Sequence, residues 1–314
     1  MDYILFIVGL ALITFCADML TKGCVGVAAR FNVPEFVVGL TIMAVGTSMP
    51  ELTVSVMSAL KGSSEMAIGN VTGSNLFNIF IVIGLCALLR PMDITKENIR
   101  RDIPICIAVS ALLWLFTSDT LLGLGAENKI NRVEGIIFLL LYVGVILYTL
   151  RTSKGEGEEP SDAPKMGVLK IVALIVIGLG GLIYGGNLCL DSATAIARAW
   201  GVSESIIAIT IVAAGTSLPE LAASISALVS GKSSMALGNV IGSNVANILL
   251  ILGASSTVTP LTMGNITQLD IIMVVMAPVL LLISALVIGH RRVTRVEGFA
   301  FLAIYVAYVV VLMK

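Results

Sequence analysis

The chain has 314 residues, of which 57% are hydrophobic and 12% charged, and a formal net charge of −1. Soluble domains carry roughly a quarter of their residues as charges, so a soluble globular fold is excluded and the chain reads as an integral membrane protein. Net charge here averages two water-facing surfaces: it points to no nucleic-acid partner, and membrane lipid is the expected surrounding. The apolar runs are continuous and about 17 to 25 residues long, enough for a helix to cross a hydrocarbon core of about 30 Å, whereas strands of a barrel would alternate.

In chain order the expected spans cover residues 3–29, 35–60, 65–89, 102–116 and 133–150. Residues 151–166 are rich in Gly, Pro and charge, cannot bury a core, and read as a linker. The pattern then restarts, with spans over 167–197, 204–229, 234–258, 269–288 and 293–312. The expected fold is therefore all-α and membrane-embedded, with ten transmembrane helices in two five-helix repeats, 1–150 and 167–314. Repeats of an odd number of spans face opposite ways across the bilayer, the inverted-repeat plan of many secondary transporters. Fourteen of the nineteen Lys and Arg residues fall on the linker side. The excess of positive charge on cytoplasmic loops then predicts a cell-membrane protein with both termini outside and the linker in the cytoplasm. The first residues lack the basic start and cleavage pattern of a secretory signal, so the first span is expected to stay in the mature chain. Cys16, Cys24, Cys86, Cys106 and Cys189 have no metal-ligand spacing and read as small packing residues.

One motif occurs twice. Gly46-Thr47-Ser48-Met49-Pro50-Glu51 returns 169 positions later as Gly215-Thr216-Ser217-Leu218-Pro219-Glu220. The same register carries Gly69-Asn70-Val71-Thr72-Gly73-Ser74-Asn75 onto Gly238-Asn239-Val240-Ile241-Gly242-Ser243-Asn244. Arg132-Val133-Glu134-Gly135 likewise matches Arg295-Val296-Glu297-Gly298. In a regular second helix Ala44, Thr47, Ser48, Glu51 and Ser55 share one face lined with oxygen. Pro50 cannot donate to the carbonyl of Gly46 and crowds it, so the helix should break just before Glu51 and free carbonyls from Ala44 to Gly46.

A glutamate near mid-membrane is costly and is a functional candidate by default; Glu51 and Glu220 are two. The third span adds Asn70, Ser74 and Asn78 at i, i+4 and i+8, and the eighth adds Asn239, Ser243 and Asn247 in the same way. Gly69, Gly73, Gly238 and Gly242 would let helices come close. The collected donors are carboxylates, hydroxyls, amide oxygens and carbonyls, with no His or Cys among them. Such hard ligands suit Ca2+ and Na+ and make zinc or copper unsuitable. One divalent or two monovalent cations would neutralise the two carboxylates, which is an electrostatic basis for exchange by competition. An intramembrane hydrolase would need a nucleophile or a metal beside its acid, and a cation channel would need a continuous pore, so the chain is read as a transporter and not an enzyme.

On these motifs the chain resembles the cation/calcium exchangers, and within them the sodium/calcium exchanger branch found in prokaryotes. Both copies of the family's G-T-S-x-P-E and G-x-x-x-G-S-N-x-x-[ND] motifs are present, and the resemblance covers nearly the whole chain. It implies an antiporter in which Na+ running down its gradient drives Ca2+ out by alternating access. The site would be formed by spans 2, 3, 7 and 8, with spans 1 and 6 as a sliding gate. It implies Glu51 and Glu220 as central Ca2+ ligands that Na+ also uses. Thr47, Ser48, Ser74, Thr216, Ser217 and Ser243, with the carbonyls of Ala44 and Ala213, would complete the sites, and Asn78 and Asn247 would join them. Potassium-dependent members carry Asp at the position of Asn247, so two neutral amides argue against potassium co-transport. A proton-coupled calcium antiporter, whose repeat motifs differ, is the alternative. Ca2+ and Na+ are the transported ions, no resident cofactor is implied, and a functional monomer is compatible with this reading.

Other polar residues read as structural. Asn70 and Asn239 also suit interhelical hydrogen bonding. Glu35, Glu134, Glu204, Glu297, Asp102 and Asp270 sit in first turns, where a carboxylate complements the helix dipole. Asp18 and Asp191 lie near span ends in solvated positions, and His290 stands among arginines at an interface.

Overall fold

Continuous apolar sequence in lipid has no water to bond, so its backbone closes its hydrogen bonds within helices. The computed structural model describes residues 1–123, 125, 127–152, 166–200, 215–288 and 291–312. Its main helices are α1 (Asp2–Phe31), α2 (Glu35–Thr47), α3 (Met49–Leu60), α4 (Ser64–Leu89), α5 (Ile103–Phe116), α6 (Arg132–Thr152), α7 (Val168–Ala199), α8 (Leu218–Val229), α9 (Ser233–Val258), α10 (Gln268–Val287) and α11 (Arg295–Leu312). Among the described residues, seven of these are long and apolar enough to cross a membrane, and the bent pair α2 and α3 makes an eighth if taken as one span. The chain is thus an all-helical, multi-pass membrane protein. α5 has only 14 residues. Residues 204–214 of the seventh expected span, including Glu204 and Ala213, lie outside the described residues, as do 153–165 of the linker and His290.

The second span breaks where proline dictates. α2 and α3 meet at Ser48 with a bend of 47°, because Pro50 lacks the N–H that would carry the ladder through. Strands were not expected, yet among the described residues four two-residue strands occur in the connections: β1 (Met92–Asp93), β2 (Lys129–Ile130), β3 (Leu261–Thr262) and β4 (Arg292–Val293). β1 pairs antiparallel with β4 and β2 with β3, so each pair joins one half of the sequence to the other. Such short ladders satisfy loop backbone and leave no alternating pattern to read.

The chain divides into two compact units, each drawing on both halves of the sequence: Met1–Pro50 with Ser153–Asn239, and Glu51–Thr152 with Val240–Lys314. In the first, α1 lies along α7 on a seam of small residues. A Cβ at Gly178 would stand 2.7 Å from the backbone nitrogen of Leu20, and one at Gly185 would stand 3.2 Å from the carbonyl oxygen of Gly9. α2 meets the start of α9 as closely, since a Cβ at Gly238 would stand 3.0 Å from the Leu40 nitrogen. Thr21 donates to Ser226 at 3.1 Å, tying α1 to α8.

In the second unit, α6 packs on α9 and α11 on α4 through a repeated glycine contact. Added Cβ atoms at Gly135 and Gly298 would stand 2.9 and 2.7 Å from the carbonyl oxygens of Gly253 and Gly84. At Gly73 a Cβ would meet nothing within 4 Å among the described residues, so the expected close approach is not seen there. The first-turn carboxylates act as caps. Glu134 accepts from the Asn131 N–H at 2.7 Å and Glu297 from the Thr294 N–H at 2.6 Å, while Asp270 and Thr267 form a capping box. Glu35 pairs with Lys232 at 2.7 Å in the first unit. Asp18 pairs with Lys22 on the exposed face of α1, Asp191 is exposed, and all five cysteines are buried thiols.

The glycine contact between α11 and α4 generates a stability prediction. Gly298→Ala forces a Cβ against backbone, which cannot rotate away, and should cost about 1–3 kcal/mol as overpacking. Gly144→Ala, whose Cβ would meet nothing within 4 Å, should be neutral or slightly stabilising. Thermal unfolding midpoints in one detergent compare them; equal midpoints would remove the close contact from the account.

Candidate functional site

The repeated motif places a helix break, a hydroxyl pair and a carboxylate within six residues, and the break is what exposes them to one another. At Ser48 the backbone leaves helical geometry (φ −84°, ψ 9°), and at Ser217 it does so almost identically (φ −91°, ψ 6°). Proline follows two residues later in both copies. Thr47, Ser48, Ser217, Glu51 and Glu220 are buried, and the two glutamates are fully inaccessible.

In the first unit, the Ser48 hydroxyl donates to Glu220 Oε1 at 2.7 Å. The Thr47 hydroxyl lies 3.3 Å from the carbonyl oxygen of Ala44 and 3.4 Å from Asn239 Oδ1. The Ala44 carbonyl is not left free by the break, as the sequence had suggested. It also accepts the Ser48 N–H at 3.0 Å, so a cation there would displace the Thr47 hydroxyl or share it. Thr216, half-buried, and Ser217 belong to the same unit. Ala213 lies outside the described residues.

In the second unit, the Ser74 hydroxyl donates to Glu51 Oε1 at 3.4 Å. Ser243, Asn78 and Asn247 are also here, and all three are fully buried.

Asn70 and Asn239 hold the glutamates' backbone in both units. Asn70 Nδ2 donates to the Glu51 carbonyl at 3.2 Å and to the Ser55 hydroxyl at 2.9 Å. Asn239 Nδ2 donates to the Glu220 carbonyl at 3.3 Å and to the Ser224 hydroxyl at 3.0 Å. The two clamps are related by the 169-residue register. Both amides therefore serve as glue between the glutamate's helix and the next, and Ser55, read as part of an oxygen-lined face, is engaged by the clamp.

A second amide cluster was missed in the sequence. Asn75 and Asn244 exchange hydrogen bonds, each side-chain amide donating to the other's backbone carbonyl at 3.4 and 3.3 Å. Asn78 Nδ2 donates to Asn244 Oδ1 at 3.1 Å, and Asn247 Nδ2 donates to Asn75 Oδ1 at 3.0 Å. This fixes which way each amide points, because turning Asn78 or Asn247 over would set two oxygens against each other. The Oδ1 atoms of Asn78 and Asn247 are then left buried with no hydrogen-bond partner among the described residues. A buried carbonyl-type acceptor left unmet costs about 1–3 kcal/mol, and a bound cation would recover it. Asn78 and Asn247 lie in π-helical turns, Phe77–Ile83 and Asn247–Leu252, a distortion common at functional sites. The signal for Asn75 and Asn244 was their duplication in the Gly-Ser-Asn motif, one residue beyond the serines and so on a different helix face.

Among the described residues no group of three or more His, Cys, Asp or Glu could hold a metal ion. The candidate donors are one carboxylate with neutral oxygens in each unit, and such hard oxygens suit alkali and alkaline-earth cations better than transition metals. Removing either clamp should be costly. Asn70→Ala and Asn239→Ala are each expected to lower stability by about 1–3 kcal/mol, the price of unmet buried partners, read as a lower thermal midpoint than that of Asn265→Ala, an exposed amide. Midpoints that match this control would show that the clamps contribute nothing.

Comparisons with known proteins place the chain in a family. The sequence profile of the sodium/calcium exchanger protein family matches residues 1–151 and 170–314. CaxA of Alkalimonas amylolytica is 35% identical over 97% of this chain and 96% of its own. The sodium/calcium exchanger MaX1 of Methanosarcina acetivorans is 29% identical over 99% of this chain and 98% of its own. A solved structure of the sodium-calcium exchanger NCX_Mj, soaked with Na+ and without Ca2+, superposes with a TM-score of 0.84 at 31% identity, covering 98% of both chains. With a family profile that spans both halves of the sequence and a shared fold, the chain belongs to the sodium/calcium exchanger family: it is a membrane transporter and not an enzyme.

Proposed function

We propose that the chain is a sodium/calcium antiporter of the cell membrane, in which Na+ moving down its gradient drives Ca2+ the other way by alternating access. The observation that carries this reading is the duplicated, proline-broken motif that buries Glu51 and Glu220 completely among hydroxyl and amide oxygens. A buried carboxylate set among neutral oxygens is satisfied by a hard cation, and Ca2+ takes about six to eight oxygens of this kind.

Glu51 and Glu220 are the central ligands. Thr47, Ser48, Ser74, Thr216, Ser217 and Ser243 supply hydroxyls, Asn78 and Asn247 supply amide oxygens, and Ala44 and Ala213 supply carbonyls. Neutral Asn78 and Asn247 leave two formal negative charges, matched by one Ca2+ or two Na+ and with no charge reserved for K+.

The topology is ten spans in two inverted repeats, 1–150 and 167–314, with both termini outside and the linker in the cytoplasm. The paired contacts of Gly135 with Gly253 and Gly298 with Gly84, and of β1 with β4 and β2 with β3, support a two-fold relation between the halves. The glycine seam between α1 and α7 suits a gate that slides with little side-chain rearrangement.

The test is 45Ca2+ uptake into proteoliposomes loaded with Na+, K+ or choline. Uptake is expected only with internal Na+, and Glu51→Gln or Glu220→Gln should lower it by more than about tenfold, since even outer partners of a metal ligand are worth ten- to a hundredfold. Uptake that ignores internal Na+ but follows a pH gradient would move the protein to proton-coupled exchange. A second prediction concerns the amide cluster. Asn244→Ala should raise the Ca2+ concentration for half-maximal uptake by about tenfold through loss of orientation of Asn78, while Asn265→Ala leaves it unchanged. Equal values for the two variants would remove the cluster from ion binding.

A further inference from the structure

At one end of the second unit, where the chain enters α5 and leaves α10, lies an open hollow of about 360 Å³ lined by Lys96, Ile99, Arg100, Ala285, Leu286 and Arg291. Three of its described lining residues are cationic. The neighbouring arginines are engaged elsewhere: Arg101 with Asp102 at 2.8 Å, Arg292 with Asp93, and Arg295 with the Leu88 carbonyl at 3.1 Å. Lys96, Arg100 and Arg291 form no ion pair or side-chain hydrogen bond among the described residues. Glu97 follows Lys96 in sequence and does not line the hollow. Three like charges around one concavity repel one another, and an anion removes the repulsion.

Arg291 is held there against its backbone preference. Its φ is 70°, in the left-handed region that side chains other than Gly, Asn and Asp seldom adopt. Two hydrogen bonds impose it: the Arg291 N–H donates to the Ala285 carbonyl at 2.8 Å, and the Ile94 N–H donates to the Arg291 carbonyl at 2.8 Å. Strain of this kind persists where the surroundings over-determine it, commonly at ligand sites.

The apolar part of the lining identifies the anion. Leu286 lies in the last turn of α10, a span of mean hydropathy 2.6, and Leu286 and Val287 are 57% and 67% exposed. Large aliphatic side chains exposed on the last turn of a spanning helix stand in lipid, and the end of that helix marks the membrane–water boundary. A soluble phosphate would use the cations and leave this apolar wall unused. We propose that the hollow binds the headgroup of an anionic phospholipid, with Lys96, Arg100 and Arg291 around the phosphate and Leu286 against the top of the acyl chain. Basic pockets between spanning helices serve this purpose in membrane proteins generally. The site is remote in sequence from the ion ligands and does not depend on the transport reading.

Native mass spectrometry of the full-length protein in detergent, with short-chain phosphatidylglycerol, short-chain phosphatidylcholine or inorganic phosphate added, tests it. Phosphatidylglycerol should bind in preference to phosphatidylcholine, and Arg100→Gln should weaken it about fivefold, as expected for one basic residue near an anionic headgroup. Arg291→Gly should weaken binding similarly while keeping the thermal midpoint, because glycine takes a φ of 70° without strain; loss of binding then cannot come from misfolding. Lys61→Gln, which removes an exposed charge outside the hollow, should leave binding unchanged. Equal binding of the two lipids, or undiminished phosphatidylglycerol binding in both arginine variants, would overturn the proposal. Inorganic phosphate binding as tightly as phosphatidylglycerol would assign the hollow to a soluble anion and overturn the lipid reading.

Discussion

A carboxylate inside a membrane must be met by something, and that requirement organises this chain. The sequence places no Lys or Arg between residues 31 and 60 or between 199 and 231, the stretches that carry Glu51 and Glu220. The charge is therefore not met by a basic side chain of its own span. Among the described residues the carboxylates accept from hydroxyls, Glu220 from Ser48 beside the break and Glu51 from Ser74 of the next helix. Neutral oxygens hold a charge in place without cancelling it. That is the condition for an ion to bind and also to leave.

The proline in each motif does more than bend the helix. Without Pro50 the ladder would continue past Gly46, and the hydroxyls of Thr47 and Ser48 would stay on a cylindrical surface. With it, the Ser48 hydroxyl reaches Glu220 Oε1 and that of Thr47 reaches Asn239. The Asn70 and Asn239 clamps then fasten each glutamate's own carbonyl to the next helix. The carboxylate is thus mounted on backbone that is tied down on the far side of its break. The Asn75–Asn244 exchange plays the same part for the amide oxygens of Asn78 and Asn247.

Much of this was legible in the sequence because two strong signals were available. Apolar runs without alternation located the helices, and a gapless repeat located Glu51, Glu220 and their serines. What escaped notice had weaker signals. Four two-residue strands are too short to show a pattern. The π-helical turns leave no compositional mark, so the helical spacing that aligned Asn70, Ser74 and Asn78 did not reveal that Asn75 meets Asn244. Gly73 read as a close helix approach from its place in the repeated motif, but among the described residues nothing stands within 4 Å of a Cβ there. The Ala44 carbonyl read as free because proline removes a donor, but the Ser48 N–H and the Thr47 hydroxyl fill the gap.

The central claim is that Na+ and Ca2+ compete for the same buried carboxylates. Equilibrium binding of 45Ca2+ to the purified protein, with Na+ raised at constant ionic strength, tests it without requiring transport. The account predicts that Na+ displaces Ca2+ completely and that Glu220→Gln binds little Ca2+ at any Na+ concentration. Calcium that stays bound at saturating Na+, or binds the glutamine variant as tightly as the wild type, would contradict it.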